Sequence, residues 1–165
     1  AVDYQAMIAA ALDVMARRNA RHILVVDTRN IRAHTIEAAL MRFRDNAWRK
    51  QTDIAIPYGR DHVATGRAAG AAISGLPAGR RPDGVIFTDD YIAASAAEVW
   101  ARDGYAPVIS TVVNRQLPLA FPLPVIKFTL DIDILASRGV AMFLERLFNP
   151  ALANRVDTIK AELSE

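Results

Sequence analysis

Cysteine is absent from all 165 residues. That excludes a disulfide scaffold, a thiolate zinc module and a cysteine nucleophile, and a reducing cytoplasm is the expected location. Long apolar runs are missing too. None approaches the roughly 20 residues that cross a bilayer, and the opening Ala1–Ala11 has no basic flank of the kind a signal peptide carries. A soluble chain with no membrane contact is expected. Charge of one sign is scarce: 20 Lys+Arg stand against 18 Asp+Glu, a balance of +2, too small to argue for nucleic-acid binding. The basic residues group only as Arg17, Arg18 and Arg21, as Arg42, Arg44 and Arg49, and as Arg80 and Arg81. Each group falls near a predicted helix end or in the loop after it, where cations complement the helix dipole.

Catalytic motifs are equally sparse. Ser74, Ser95, Ser110 and Ser137 lie in no G-x-S-x-G elbow, and His22, His34 and His62 have no metal-binding spacing such as H-E-x-x-H. No G-x-G-x-x-G loop follows a strand. The segment Gly75–Asp83 (GLPAGRRPD) lacks the order of a phosphate-binding loop. No cofactor or metal is implied, and binding without chemistry becomes the leading class.

What the sequence does have is an alternation of helical and strand periods in a chain sized for one domain, at 18.1 kDa and 52% hydrophobic. The spacing predicts a helix over Asp3–Arg18 with Asp3 capping it, a buried strand over His22–Asp27, a helix over Arg32–Asn46 and a strand over Asp53–Pro57. A helix capped by Asp61 runs through Ile73, its Gly66 and Gly70 expected to allow close packing on the sheet. Then follow a strand at Gly84–Phe87, a helix at Tyr91–Asp103, a strand at Pro107–Val113, an apolar loop at Leu117–Pro122 and an extended piece at Val125–Phe128. A last helix spans Asp131–Phe148, with Leu135, Gly139, Met142 and Phe143 on its inner face, and Thr158–Leu163 forms a closing strand. The fold class this predicts is α/β: a three-layer αβα, doubly wound, mainly parallel sheet.

In such sheets ligands bind at the carboxyl ends of the strands. Arg32, Arg60 and Asp89 all fall at that edge. An arginine with a carboxylate makes a hydroxyl clamp for a sugar or other polar metabolite, with Tyr58 or Phe128 available to stack on its apolar face. By spacing alone, Arg32 and Asp89 serve equally well as a mutual ion pair or as helix caps. Asp89 and Asp90 together also admit a second reading, a flavodoxin-like small enzyme or phosphoacceptor, in which one of the two is the helix N-cap.

Several segments, taken in order, resemble the effector-binding domain of LacI-type transcriptional repressors, which has the type I periplasmic-binding-protein fold. The family's Asp-led helix and G-H-R-R-I-A-x-I strand are echoed by Asp3–Val26, with Asn19, Ala20, Arg21, His22 and Ile23 at the turn. Its R-x-x-G-F-x-x-A-L helix is echoed by Arg32, Thr35, Ile36, Ala39 and Leu40. Its P-D-A-x-F-x-x-N-D-x-M-A-x-G-A segment appears as RPDGVIFTDDYIAASA over Arg81–Ala96, where Asp89 takes the place of the Asn and Asp90 that of the Asp. Phe121–Phe128 followed by Leu135–Leu147 resembles the P-P-L-T-T-V-x-Q segment and the helix after it. The resemblance covers nearly the whole chain and implies a sensor of a small-molecule effector, without enzymatic activity, in which Arg32 reaches the effector. A solute-binding protein of a transporter shares this fold and is the third reading.

Two departures bear on the ligand. Val112 stands where the family's V-V-G-F/Y-D strand end carries its hydroxyl-binding Asp, and Phe128 replaces the usual glutamine near the hinge. With Arg32 retained, an anionic or partly apolar metabolite is as compatible as a sugar. The resemblance begins partway through the family's domain, so the chain reads as a fragment: residues 1–127 as the carboxyl-terminal lobe and 128–165 as a crossover helix and closing strand of the same domain. DNA would then be reached only through a headpiece outside this chain, and the helix from Asp131 would be short of packing partners. The resemblance and the apolar loop together imply a homodimer through Tyr91, on the helix Tyr91–Asp103, and through Leu117, Leu119 and Phe121.

Overall fold

A computed structural model describes residues 2–27, 61–117, 119–152 and 156–164. The expected helix at 32–46 and strand at 53–57 lie outside these residues. The described elements alternate as read from the sequence: α1 (Tyr4–Arg17), β1 (Ile23–Val26), α2 (His62–Ser74), β2 (Gly84–Phe87), α3 (Asp90–Asp103), β3 (Val108–Asn114), β4 (Val125–Leu130), α4 (Ile132–Phe148) and β5 (Glu162–Ser164). The sheet runs β1-β2-β3-β4-β5, parallel through β4, with β5 antiparallel at the edge.

Strand periodicity divides the core in two. On one face Ile23, Ile86, Val112, Ile126 and Phe128 pack beneath Met7, Ile8, Leu12 and Met15 of α1. On the other, Leu24, Val26, Val85, Phe87 and Ile109 meet Ile73 of α2 and Ile92, Ala96 and Trp100 of α3. Adjacent residues of one strand serve opposite layers, so the runs ILVV and GVIF must be apolar throughout. The result is the three-layer αβα arrangement with helices on both faces.

All four α-helices among the described residues begin on an aspartate. The Asp3 carboxylate accepts from the Ala6 N–H at 2.9 Å, Asp61 from Ala64 at 3.0 Å, Asp89 from Ile92 at 3.1 Å, and Asp131 from Asp133 and Ile134 at 3.1 and 3.2 Å. Each cap contributes about 1 kcal/mol by satisfying a donor the helix itself cannot. The end of α3 is set by Gly104 at φ 69°, a left-handed position that favours glycine. At the amino edge the Asp83 carboxylate accepts the backbone N–H groups of Arg21 and His22 at 2.9 and 2.6 Å, which aligns Ile23 with Gly84.

Gly66 and Gly70 do allow a close approach, but to α3 rather than to the sheet. A Cβ on Gly66 would lie 2.6 Å from the Ile92 carbonyl oxygen and 2.7 Å from Ser95 Cβ; one on Gly70 would lie 3.0 Å from the Ala96 oxygen and from Val99 Cβ. The same approach lets Trp100 Nε1 donate to the Gly70 carbonyl at 2.9 Å while the indole is fully buried. The polar end of a large core residue is thereby satisfied.

The last third departs from the expected boundaries. β4 runs without a break through residues 127 and 128 to Leu130. The closing strand is Glu162–Ser164, and Ile159 instead forms an isolated bridge with Val2. Of the four residues expected on the inner face of the last helix, Leu135 packs on the α1-side core and Met142 is half-buried, whereas Gly139 is exposed and Phe143 is 66% exposed. No residue of α4 is fully buried.

Gly66→Ala should destabilise the chain by about 1–3 kcal/mol, because α2 and α3 must part to admit the methyl group. Urea unfolding measures it; an unchanged midpoint would show that the helices are not held at this contact.

Candidate functional site

The carboxyl edge of the sheet is set by register. Val26, Phe87, Thr111 and Lys127 lie level across β1 to β4, after which β1 and β2 stop while β3 and β4 continue to Asn114 and Leu130. The residues just past the two short strands, Asp27 and Thr88, therefore sit in a step. Thr88 is fully buried, and its Oγ1 donates to Asp27 Oδ1 at 3.2 Å.

Asp89 closes the step. Its residue is 3% exposed; Oδ1 caps α3 and Oδ2 lies 3.0 Å from His62 Nδ1. His62 is the first residue of α2, directly after the Asp61 cap, so two helix N-termini meet at this pair. Asp90, half-buried beside it, has its carboxyl pushed above the ordinary carboxylate range, first by burial and then by the Asp89 charge. Hydrogen bonds from the backbone N–H groups of Asp90, Tyr91 and Asn114 oppose the shift.

A second polar group lies where β3 and β4 end. Gln116 Nε2 donates to Asp131 Oδ1 at 2.9 Å and to Asp133 Oδ2 at 3.0 Å, its Oε1 accepts the Ile132 N–H at 3.2 Å, and Arg115 pairs with Asp131 at 3.0 Å. The Gln116 hydrogen bond is the foremost cause that holds the Asp131 carboxyl below its usual range. These contacts tie the loop after β3 to the start of α4.

The site residues expected from sequence divide accordingly. Asp89 lies at the carboxyl edge, serving as a helix cap and as the neighbour of His62 Nδ1. Arg32, Tyr58 and Arg60 lie outside the described residues. Phe128 corrects the expectation: its ring is 1% exposed and packed under α1, so it is a core residue and cannot stack on a ligand at the edge. The alternation explains this, since Ile126, Phe128 and Leu130 all face α1. Of the residues expected at a subunit contact, Tyr91 is 44% and Leu117 59% exposed and Leu119 is half-buried. Phe121 packs on the α3-side core beneath the Lys127 ammonium, which lies 5.5 Å from its ring centroid. Sequence reasoning passed over His62 because it looked for histidine spacing; the available signal was its place one residue after a helix cap.

Among the described residues no group of three His, Asp or Glu side chains is placed to hold a metal ion, and no helix is long and apolar enough to cross a membrane.

No family model and no curated protein matches the chain. Solved structures do. The chain is similar to a LacI family transcription regulator from Clostridium acetobutylicum, with TM-score 0.76 and 15% identity, covering 99% of this chain and 63% of that one. A LacI family regulator from Lactobacillus casei solved with bound sucrose matches at TM-score 0.74, 17% identity and coverage of 100% and 62%. One from Arthrobacter sp. FB24 in complex with lactose matches at 0.66, 19% and coverage of 99% and 62%. The chain thus has the α/β fold found in LacI family regulators, and it spans a little under two thirds of their length.

Asp90→Asn should stabilise the chain at neutral pH. An acid with a raised folded-state pKa costs stability in its charged form. The cost is absent below the unfolded value near 3.8 and complete above the folded one. Melting temperatures of wild type and variant should therefore converge near pH 4 and separate as pH rises; parallel curves would remove Asp90 from the strained edge.

Proposed function

We propose that this chain is the effector-sensing part of a LacI-type transcriptional regulator, acting by binding and without catalysis. The observation that carries the reading is the match of virtually the whole chain to such regulators at TM-score 0.76, joined to a polar cluster at the sheet edge where this fold class receives ligands. The relatives with sucrose and lactose bound support a small hydroxylated effector. A phosphoacceptor role finds no comparable support, because Asp89 is buried with both carboxylate oxygens engaged.

In this reading residues 1–127 form one lobe of a two-lobed clamp, and 128–165 supply the crossover helix and the edge strand. A second lobe covers the apolar face of α4, where Val140, Phe143 and Leu147 are 58%, 66% and 60% exposed. Effector binding between the lobes shifts the balance of open and closed clamps, and a headpiece outside these residues passes the change to DNA in the cytoplasm. Arg32→Ala in the complete gene product should abolish the response of a reporter to its effector, and a retained response would take Arg32 out of the site.

The regulator acts as a homodimer. Tyr91 follows Asp90, which accepts a hydrogen bond from Asn114, and the Leu117 N–H bonds back to the Asn114 carbonyl at 3.3 Å, so the two exposed side chains belong to one neighbourhood. Phe121 anchors the loop to its own core. Replacing both Tyr91 and Leu117 with glutamate should convert dimer to monomer in sedimentation velocity; an unchanged sedimentation coefficient would sink this interface.

A further inference from the structure

We propose that the amino edge of the sheet, the end opposite to the site described above, is a docking surface for an acidic segment of another protein, gripped by Arg18, Arg21 and Arg81. It stands independently of the sensing reading, which survives its failure.

Two arginine-bearing loops meet at this edge. The first follows α1, where Asn19 takes the left-handed conformation at φ 61° and the Ala20 N–H returns to the Met15 carbonyl at 3.0 Å. Arg17 and Arg18 lie before this tight turn and Arg21 after it, all three exposed. The second loop leads into β2 and is stitched to the first: the Asp83 N–H donates to the His22 carbonyl at 2.8 Å, and His22 Nδ1 lies 3.1 Å from the Arg81 carbonyl oxygen. Exposed Arg80 and Arg81 are thereby brought beside the first group.

Internal pairing does not use up these charges. Asp83 stands among them, but its Oδ1 accepts the Arg21 and His22 backbone N–H groups at 2.9 and 2.6 Å, and its Oδ2 the Arg21 N–H at 3.0 Å. The carboxylate holds backbone and leaves the guanidiniums alone. Two more described carboxylates flank the edge: Asp13, one turn before Arg17, and Asp103, which accepts from Ser74 Oγ at 2.8 Å and lies 3.6 Å from Arg102 Nε. The loops at 104–107 and 119–124 carry no charge. Six arginines thus stand against three carboxylates, in a chain whose whole balance is only +2. Among the described residues no carboxylate pairs with Arg17, Arg18, Arg21 or Arg81.

Arg81 is also set in place before a partner arrives. Its Nε donates to the Leu76 carbonyl at 2.8 Å and its guanidinium lies 5.9 Å from the Tyr105 ring centroid. The Nη groups remain for a planar two-point grip on an oxyanion, with little ordering cost.

The exposed aspartates decide which oxyanion. A duplex backbone or an anionic lipid surface presents negative charge without a break and would press it onto Asp83 and Asp13. A peptide can set its carboxylates opposite the arginines and uncharged residues opposite the aspartates. Nor is there an aromatic for base stacking, since Tyr105 and Phe121 both pack on the α3-side core.

The test titrates the ¹⁵N-labelled full chain, at low ionic strength, with a short synthetic peptide of alternating glutamate and serine. Its glutamine counterpart, a short DNA duplex and phosphatidylserine vesicles are run beside it. The glutamate peptide should move the backbone resonances of 17–22 and 80–83, and the glutamine peptide should not. Arg18→Gln with Arg21→Gln should weaken binding about tenfold or more, since neither side chain holds the fold together. Arg67→Gln with Arg138→Gln, which removes the same charge elsewhere, should leave it within about twofold of wild type. Equal weakening by the two double variants would overturn the assignment of the surface. Duplex or vesicle binding tighter than the peptide's would overturn the partner class. Silence of both loops toward the glutamate peptide would overturn the proposal as a whole.

Discussion

The close contact between α2 and α3 is the constraint on which the functional edge depends. Two helices covering one face of a parallel sheet ordinarily pack 8–10 Å apart. Here Gly66 and Gly70 remove the side chains that would set that distance, and backbone meets backbone. Two consequences share this origin: Trp100 reaches the Gly70 carbonyl, and the first residues of both helices arrive together at the carboxyl edge. The His62–Asp89 pair is a product of helix packing as much as of local sequence.

The edge built this way breaks rules that the interior keeps. Inside, apolar residues alternate between two layers with few polar exceptions, and helix starts are satisfied by aspartate. At the edge a buried carboxylate, a second carboxylate disfavoured by burial and by the first one's charge, and an exposed imidazole are held together. Such local conflict is stable only because the surrounding core fixes it, and it is where binding function is expected to concentrate. Asp89 shows the economy of the arrangement: one oxygen completes a helix and the other orients a histidine.

Much of the fold was legible from periodicity. The run HILVVD declared a strand covered on both sides, and Asp3 and Asp61 were readable as caps because each stands directly before a helical period. The close glycine contact was legible in kind but not in partner, since i and i+4 glycines on a helix show that something approaches without saying what. Phe128 was misplaced for a definite reason. Strand alternation fixes which residues share a face, but which layer that face meets depends on the crossover, and an apolar residue near a strand end looks the same in either case. His62 was overlooked because its role arises from Asp89, 27 positions away, and only the packing of α2 on α3 brings the two together.

The outer face of α4 bears on the proposed function as well. A helix with Val140, Phe143 and Leu147 more than half exposed gains little from its own sheet, and only Leu135 and Met142 turn inward. Its start, by contrast, is held firmly: Gln116 and Arg115 bind Asp131 and Asp133 from the loop that follows β3. In the clamp proposed above, a helix fixed at its first turn with an exposed apolar face would carry the second lobe. In that reading, displacement of the lobe would reach the loop after β3, whose strand ends at Asn114 beside Asp90. Asp90, Asn114, Gln116 and Asp131 are joined by a continuous run of backbone and hydrogen bonds between the carboxyl edge and the start of α4. For a clamp that reports closure, this is the physical connection the proposed function requires.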